Sequence, residues 1–313
     1  MTATPGAQPT PRALVVGEAL VDVVRQLDGS IENHVGGSPA NVAIGLGRLG
    51  RPVDLLTWFA PDAHGELVRR HLEDSAVHVL PGSDGAGSTS VALATLDETG
   101  AATYTFDLDW QVPAGTELAA DVVVVHSSTI GAALEPGGEA VLQLLGQARS
   151  QATVTYDPNV RPALLGSAEQ MRPLVARLVE LADVVKVSDE DLAWLEPGVA
   201  LIEVAAKWAT SGPGIVVVTR GGAGVVAVTS GGVHVEVPAR TVAVADTVGA
   251  GDSFMSGLID GLWTAGLLGA ERRGDLGGID AGTLTRILER SARIAAITVS
   301  RAGANPPRLA ELI

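Results

Sequence analysis

Residues 245–254 read Ala-Asp-Thr-Val-Gly-Ala-Gly-Asp-Ser-Phe, with Gly249, Ala250 and Gly251 standing directly before a helical pattern of Asp252, Phe254, Met255, Leu258, Ile259 and Leu262. Side chains this small let a ligand approach the unpaired amide donors of a helix's first turn. Those donors and the helix dipole favour an anion, most usefully a phosphoryl group that gathers charge during transfer. A carboxylate beside that anion is a poor ligand for it but a serviceable base for an attacking hydroxyl, which makes Asp252 the candidate base. Over these residues alone, an ordinary helix cap with a glycine turn reads the same way.

A second constellation lies far upstream. Gly36-Gly37-Ser38-Pro39-Ala40-Asn41 leads into a helical pattern, with Pro39 suited to a helix start, Ser38 to its cap and Asn41 on its first turn. Paired glycines beside Asn41, with Asp22 nearby, suit a polyhydroxylated ligand held by backbone and amide hydrogen bonds; a plain strand-to-helix turn is the alternative. Asp157-Pro158-Asn159-Val160-Arg161 follows a strand pattern, where ligands of open α/β sheets gather. Arg161 offers forked donors to a sugar hydroxyl, a carboxylate or a phosphate, or simply forms a surface ion pair.

Composition narrows the chemistry. The chain has 313 residues and no cysteine, so disulfides, thiolate metal sites and cysteine nucleophiles are excluded. Its 36 acidic and 21 basic residues give a net charge of −15, which argues against nucleic acid or an anionic membrane surface as partner. Lysine occurs only as Lys186 and Lys207, neither after a glycine, so a P-loop is absent and phosphate must be met by Arg, helix N-termini or bare amides. Two glycine patterns imitate a dinucleotide fingerprint. Gly45-x-Gly47-x-x-Gly50 ends a helical segment instead of opening one, and Gly222-x-Gly224 leads into another strand, so neither aims a helix dipole at a phosphate.

The elements that must position these residues alternate. Strand patterns at 13–17, 53–57, 121–126, 152–156, 183–187 and 214–219 are separated by helical patterns near 38–50, 62–74, 136–149, 168–181 and 199–210. This predicts a parallel sheet covered on both faces. Two stretches break the rhythm: 21–35 around Asp28-Gly29, and 88–110 around Asp97-Glu98-Thr99-Gly100, both alternating like hairpins. Together they predict a small second sheet acting as a flap over the site, with Tyr104 and Phe106 as candidates to face a ligand. Residues 225–239 read as a further hairpin, 249–268 and 282–299 as long helices, and 271–278 as a solvated turn. Residues 1–12 read as a frayed tail without the features of a secretory signal, and no apolar run is long enough to span a bilayer, so a soluble cytoplasmic protein is expected.

Taken together, Gly36–Gly50 and Asp246–Leu262 resemble the two motifs of the ribokinase-like (PfkB) family of carbohydrate kinases, in the same order and at the same separation. The likeness runs over about 13–307. It implies one α/β domain over 13–313, with lid strands inserted at about 21–35 and 88–112 that often mediate dimerisation, hence a homodimer through the lid. It implies ATP-dependent phosphorylation of a primary sugar hydroxyl, with Asp252 as base and Gly249, Ala250 and Gly251 as the anion hole. Sugar-binding positions fall on Asp22, Gly36, Gly37 and Asn41, joined by Arg161, and nucleotide-binding positions on Ser188, Thr219, Gly221 and Gly224. The family's Asn-x-x-Glu motif, linked to Mg²⁺, falls on Ser188-Asp189-Glu190-Asp191, so Glu190 or Asp191 assists the metal through water. A K⁺ site of backbone carbonyls would fall on Asp246, Val248, Arg301 and Gly303. Gly17-Glu18 and Asp157-x-Asn159-x-Arg161 resemble fructokinases and 2-keto-3-deoxygluconate kinases more than adenosine kinases. Fructose is the expected substrate, with 2-keto-3-deoxygluconate or ribose as alternatives. A regulator that binds sugar or nucleotide without turnover is the reading from a different class.

Overall fold

The computed structural model describes residues 10–26, 29–96 and 102–313. Along the chain, β1 (Arg12–Val16), β2 (Leu20–Arg25) and β3 (Ile31–Gly36) precede α1 (Ser38–Arg48), β4 (Val53–Leu56), α2 (Ala63–Glu73) and β5 (Val77–Val79). Next come β6 (Val91–Leu96), β7 (Ala102–Asp107), β8 (Val122–Ser128), α3 (Thr129–Ala133), α4 (Gly138–Ala148) and β9 (Thr153–Asp157). Then follow α5 (Pro162–Leu165), α6 (Ala168–Leu181), β10 (Val184–Ser188), α7 (Asp189–Leu195), α8 (Leu201–Ala209) and β11 (Ile215–Thr219). The last third holds β12 (Val225–Thr229), β13 (His234–Val237), α9 (Ala250–Thr264), α10 (Arg273–Gly277) and α11 (Ala281–Val299).

A nine-stranded sheet runs in the order β13-β12-β11-β10-β9-β8-β1-β4-β5. It is parallel from β11 to β5, and β12 is the reversed strand, antiparallel to both β11 and β13. Each central strand buries both faces, which is why these strands are rich in β-branched residues instead of alternating with polar ones. In β11, Ile215 and Val217 join a core shared with α1, α2, α9 and α11. Val216 and Val218 join the opposite core, shared with α4, α6, α7 and α8.

The two hairpin patterns do form a separate sheet, in the order β3-β2-β6-β7. β2 is its hinge member, antiparallel to β3 and parallel to β6. The expected turn at Asp28 and the one at Asp97–Gly100 lie outside the described residues, as does the side chain of Tyr104.

Two local expectations change, and the packing role of one glycine pair gains its partners. The tail ends earlier than Arg12, which opens β1 because its guanidinium is held by Asp54 at 3.0 Å and Asp121 at 2.9 Å. The stretch 271–278 is not a solvated turn: it carries α10, with Leu276 fully buried and Arg273 paired to the buried Asp183. Charge compensation of Asp183 ties that segment to the sheet. Gly45 and Gly47 lie inside α1, where a Cβ would come within 2.3 Å of Ser256 Oγ and 2.1 Å of the Ser75 carbonyl. Their role is close packing.

Candidate active site

The chain leaves β1 toward β4 on one side and later returns through β8 on the other, so β1 and β8 are neighbours at the point where the strand order reverses. Crevices at the carboxyl ends of strands at such a point are where open α/β sheets hold ligands. Glu18 lies just beyond β1, and Asp157, Ser188 and Thr219 are the last residues of β9, β10 and β11. The starts of α1, α7 and α9 face the same end.

The two distant motifs meet there. Asp252, on the first turn of α9, is buried, with 8% of its surface exposed. Ser38 Oγ donates to its Oδ1 at 2.7 Å and Asn41 Nδ2 to its Oδ2 at 2.8 Å. One hydrogen bond spans 214 positions of sequence and the other 211. Gly37 is the residue that caps α1, at φ 101°, where a Cβ would sit 2.4 Å from the Glu18 carbonyl. Ser38 was expected as that cap, but its hydroxyl crosses to Asp252 instead. Asn41 likewise spends its amide on Asp252, and its Oδ1 is buried with no partner among the described residues. Gly249 caps α9 in the left-handed region at φ 73°, and a Cβ there would lie 2.6 Å from Ala304 Cβ. No side chain except glycine's fits that conformation and that contact together.

Around this pair stand carboxyls. Burial pushes the Glu18 carboxyl up to about 7, with backbone donation from Glu18 itself opposing it and the Asp252 charge adding to it. Glu18 Oε2 is buried without a partner. Asp22, on β2 of the small sheet, also has a raised pKa through burial, opposed by His34 and Arg161. A Cβ on Gly36 would fall 2.3 Å from its Oδ2, so that glycine makes room for the carboxylate. Arg161 acts on both Glu18 and Asp22 electrostatically although it follows β9 of the large sheet, and its own guanidinium is bonded to Asn159 at 2.7 Å. The crevice therefore lies between the two sheets.

Two residues here escaped sequence reasoning as site members. Asp157 was read only as part of a loop, and Lys186 only as one of two lysines. They form a buried ion pair at 2.7 Å, and a Cβ on Gly251 would lie 2.8 Å from Lys186 Nζ. Burial raises Asp157 to about 6 in spite of Lys186, with Asp191 and Asp252 adding to the rise. The available signal was a single charge inside the strand pattern Val-Val-Lys-Val, which either face of a covered sheet would have to neutralise.

The remaining candidates are arrayed along the strand ends. Ser188 caps α7, accepting from the Asp191 amide at 3.0 Å, and Asp191 Oδ1 accepts from the Val160 amide at 3.2 Å. Asp191 thus faces the Asp157 end of the crevice, whereas Glu190 is exposed. Thr219 Oγ1 donates to the Val187 carbonyl at 3.4 Å, and Gly221 opens the one-turn helix that Gly224 ends before β12. Asp246 joins two loops, accepting from Val248 at 3.0 Å and Gly303 at 2.9 Å, and this donation holds its carboxyl below the usual range. The Arg301 side chain turns away to Glu311, leaving only its backbone near that junction.

A pfkB family carbohydrate kinase model matches residues 10–311. The chain belongs to the pfkB family of carbohydrate kinases. Among its relatives, a fructokinase of Klebsiella pneumoniae is 34% identical over 262 residues, covering 81% of this chain and 85% of the relative. A fructokinase of Xylella fastidiosa solved with bound ATP superposes with a TM-score of 0.81 at 24% identity, over 96% of both chains. A fructokinase double mutant of Vibrio cholerae O395, solved with fructose, ADP and potassium ion, gives a TM-score of 0.76 at 25% identity, over 97% of both chains. As a pfkB kinase the chain is an ATP-dependent sugar kinase, and the crevice described above is where Gly36–Asn41 and Gly249–Asp252 converge. No helix among the described residues is long and apolar enough to cross a membrane.

Proposed function

We propose that this kinase transfers the γ-phosphoryl group of ATP to a primary hydroxyl of fructose. The fructokinase relatives support the sugar, and the convergence of Ser38 and Asn41 on Asp252 carries the assignment of the base. In this reading the sugar lies between the sheets, against Asp22, Gly36, Gly37, Asn41 and Arg161. Its reactive hydroxyl gives its proton to Asp252 as the oxygen bonds to phosphorus, while the amides of Gly249, Ala250 and Gly251 take up the charge on the phosphoryl oxygens. Ser38 and Asn41 hold the carboxylate in one rotamer, so orientation is established before the substrate arrives. The small sheet, built from β2, β3, β6 and β7, covers the sugar and excludes water that would otherwise accept the phosphoryl group.

The nucleotide lies along Ser188, Thr219, Gly221 and Gly224. The donor set fits a hydrated Mg²⁺: Asp191 faces the crevice and Asp157 Oδ1 is a buried acceptor without a partner. Asp191 rather than Glu190 would hold it through water, and the bound ion would neutralise charge on the nucleotide phosphates. A K⁺ ion held by carbonyls of Asp246, Val248, Arg301 and Gly303 is supported by the way Asp246 fastens the two loops together and by the potassium ion in the Vibrio relative. A homodimer through the small sheet is supported by the exposed strand β3, whose Ile31 is 56% exposed. The enzyme works in the cytoplasm in this reading. A non-catalytic regulator would have no use for an oriented, buried carboxylate at the helix start.

Replacing Asp252 by Asn keeps the shape and removes the base. Turnover of fructose is expected to fall by about 10³-fold, within the range for loss of a general base, with ATP affinity retained. Near wild-type kcat in that variant overturns the role. A panel of fructose, ribose and 2-keto-3-deoxygluconate, followed by ADP release, tests the sugar: the highest kcat/KM belongs to fructose.

A further inference from the structure

Lys186 lies in the middle of the sheet, 3% exposed, between the fully buried Val185 and Val187. Among the described residues its ammonium has one hydrogen-bond partner, Asp157 Oδ2, so two of its N–H donors are unspent. The partner carboxylate is equally incomplete, since Asp157 Oδ1 is buried with nothing bonded to it. A buried ion pair this poorly satisfied is a weak device for stability, because desolvation of the two charges offsets most of their attraction. His126 does not complete the pair: burial and the Lys186 charge push its imidazole down to about 3, so it is neutral at physiological pH.

What the pair does have is position. The Lys186 ammonium points at the first turn of α9, 2.8 Å from where a Gly251 Cβ would stand. Asp191 and Asp252 also act on Asp157, so Lys186 brings a positive charge to an end of the crevice shared by three carboxylates. An arriving γ-phosphate adds more negative charge to that set.

We infer that Lys186 is a catalytic residue whose ammonium, steered by Asp157, hydrogen-bonds the phosphoryl group in flight beside the Gly249–Gly251 amides. The inference rests on the kinase reading above. During transfer the sugar oxygen bonds to the γ-phosphorus and the bond from that phosphorus to the bridging oxygen breaks. ADP leaves with the electron pair, and the hydroxyl proton goes to Asp252. Lys186 neither gives nor takes a proton in this step, and its flexible stem lets the charge follow the group while the backbone amides stay fixed. Absence of Cβ at Gly251 is then a requirement of access, because a methyl group would displace the ammonium.

Two measurements test this. Lys186→Met alone strands a buried carboxylate, so it is paired with Asp157→Asn in a double variant that removes both charges and leaves no unmatched one. The double variant is expected to melt near the wild type, keep its KM for fructose and its half-saturating Mg²⁺ concentration, which separates the lost ammonium from any loss at Asp157 of metal binding, and lose about 100-fold in kcat, the scale for removal of one transition-state donor. Recovery to within threefold of the wild type would make the pair structural and overturn the inference. The second measurement needs no active-site variant. The chain contains only two lysines, so protein labelled at lysine Nζ with ¹⁵N gives two side-chain signals, assigned with Lys207→Met, a change on the exposed face of α8. With fructose and ADP–aluminium fluoride present, the Lys186 signal moves and Lys207 does not, whereas ADP alone leaves both in place. A Lys186 signal indifferent to the fluoride complex overturns the inference even if the double variant fails to fold. Wild-type protein that releases no ADP with any sugar of the panel would refute the kinase reading itself, an outcome separate from either result.

Discussion

Replacing Glu18 by Gln isolates one buried carboxyl whose ionisation the fold opposes. Glu18 lies just beyond β1, buried, and burial raises it from 4.5 to about 7. An acid with a folded-state pKa above its unfolded value contributes stability below the unfolded value, here 4.5, and that contribution is lost as pH rises through about 7. The gap corresponds to about 3 kcal/mol, most of which disappears between pH 5 and pH 8. Glutamine has nearly the same volume and does not titrate, so the variant loses none of this. Urea unfolding of both proteins at pH 5 and pH 8 reads the effect, because titrating groups that do not interact with Glu18 cancel in the difference. The wild type is expected to fall by about 2–3 kcal/mol more than Glu18→Gln over that interval. Parallel pH profiles would show that the carboxyl ionises as easily inside the fold as outside, which would refute desolvation of Glu18 by burial.

Other changes probe the rest of the site. Gly249→Ala forces a side chain into φ 73° against Ala304, so it is expected to cost about 1–2 kcal/mol of stability and to cut kcat more than it raises either KM. Equal kcat in a folded variant would remove the Gly249 amide from the anion hole. Asp246→Ala breaks the hydrogen bonds to Val248 and Gly303, for a loss of about 2 kcal/mol and of activation by K⁺. Retained K⁺ activation, measured as turnover against added KCl, would place that ion elsewhere.

Much of this molecule was legible before any coordinates. Gly249–Asp252 and Gly36–Asn41 are contiguous, and their chemistry follows from small residues beside helix starts, which local sequence dictates. The covered parallel sheet followed from unbroken β-branched runs, and the second sheet from two alternating stretches that did not fit it. What sequence could not supply was pairing at a distance. Ser38 reads as a cap because serine usually serves there, yet its hydroxyl belongs to Asp252. Asn41 reads as a ligand residue, yet its amide is committed to the same carboxylate. Lys186, Asp157 and Glu18 look unremarkable in a string of letters, since a buried charge is defined by what surrounds it. Residue type and local spacing determined which helix starts and strands this chain forms. Only the closing of the sheet decided which side chains share a low-dielectric crevice, because burial and electrostatic partnership depend on elements that meet across more than 200 positions of sequence.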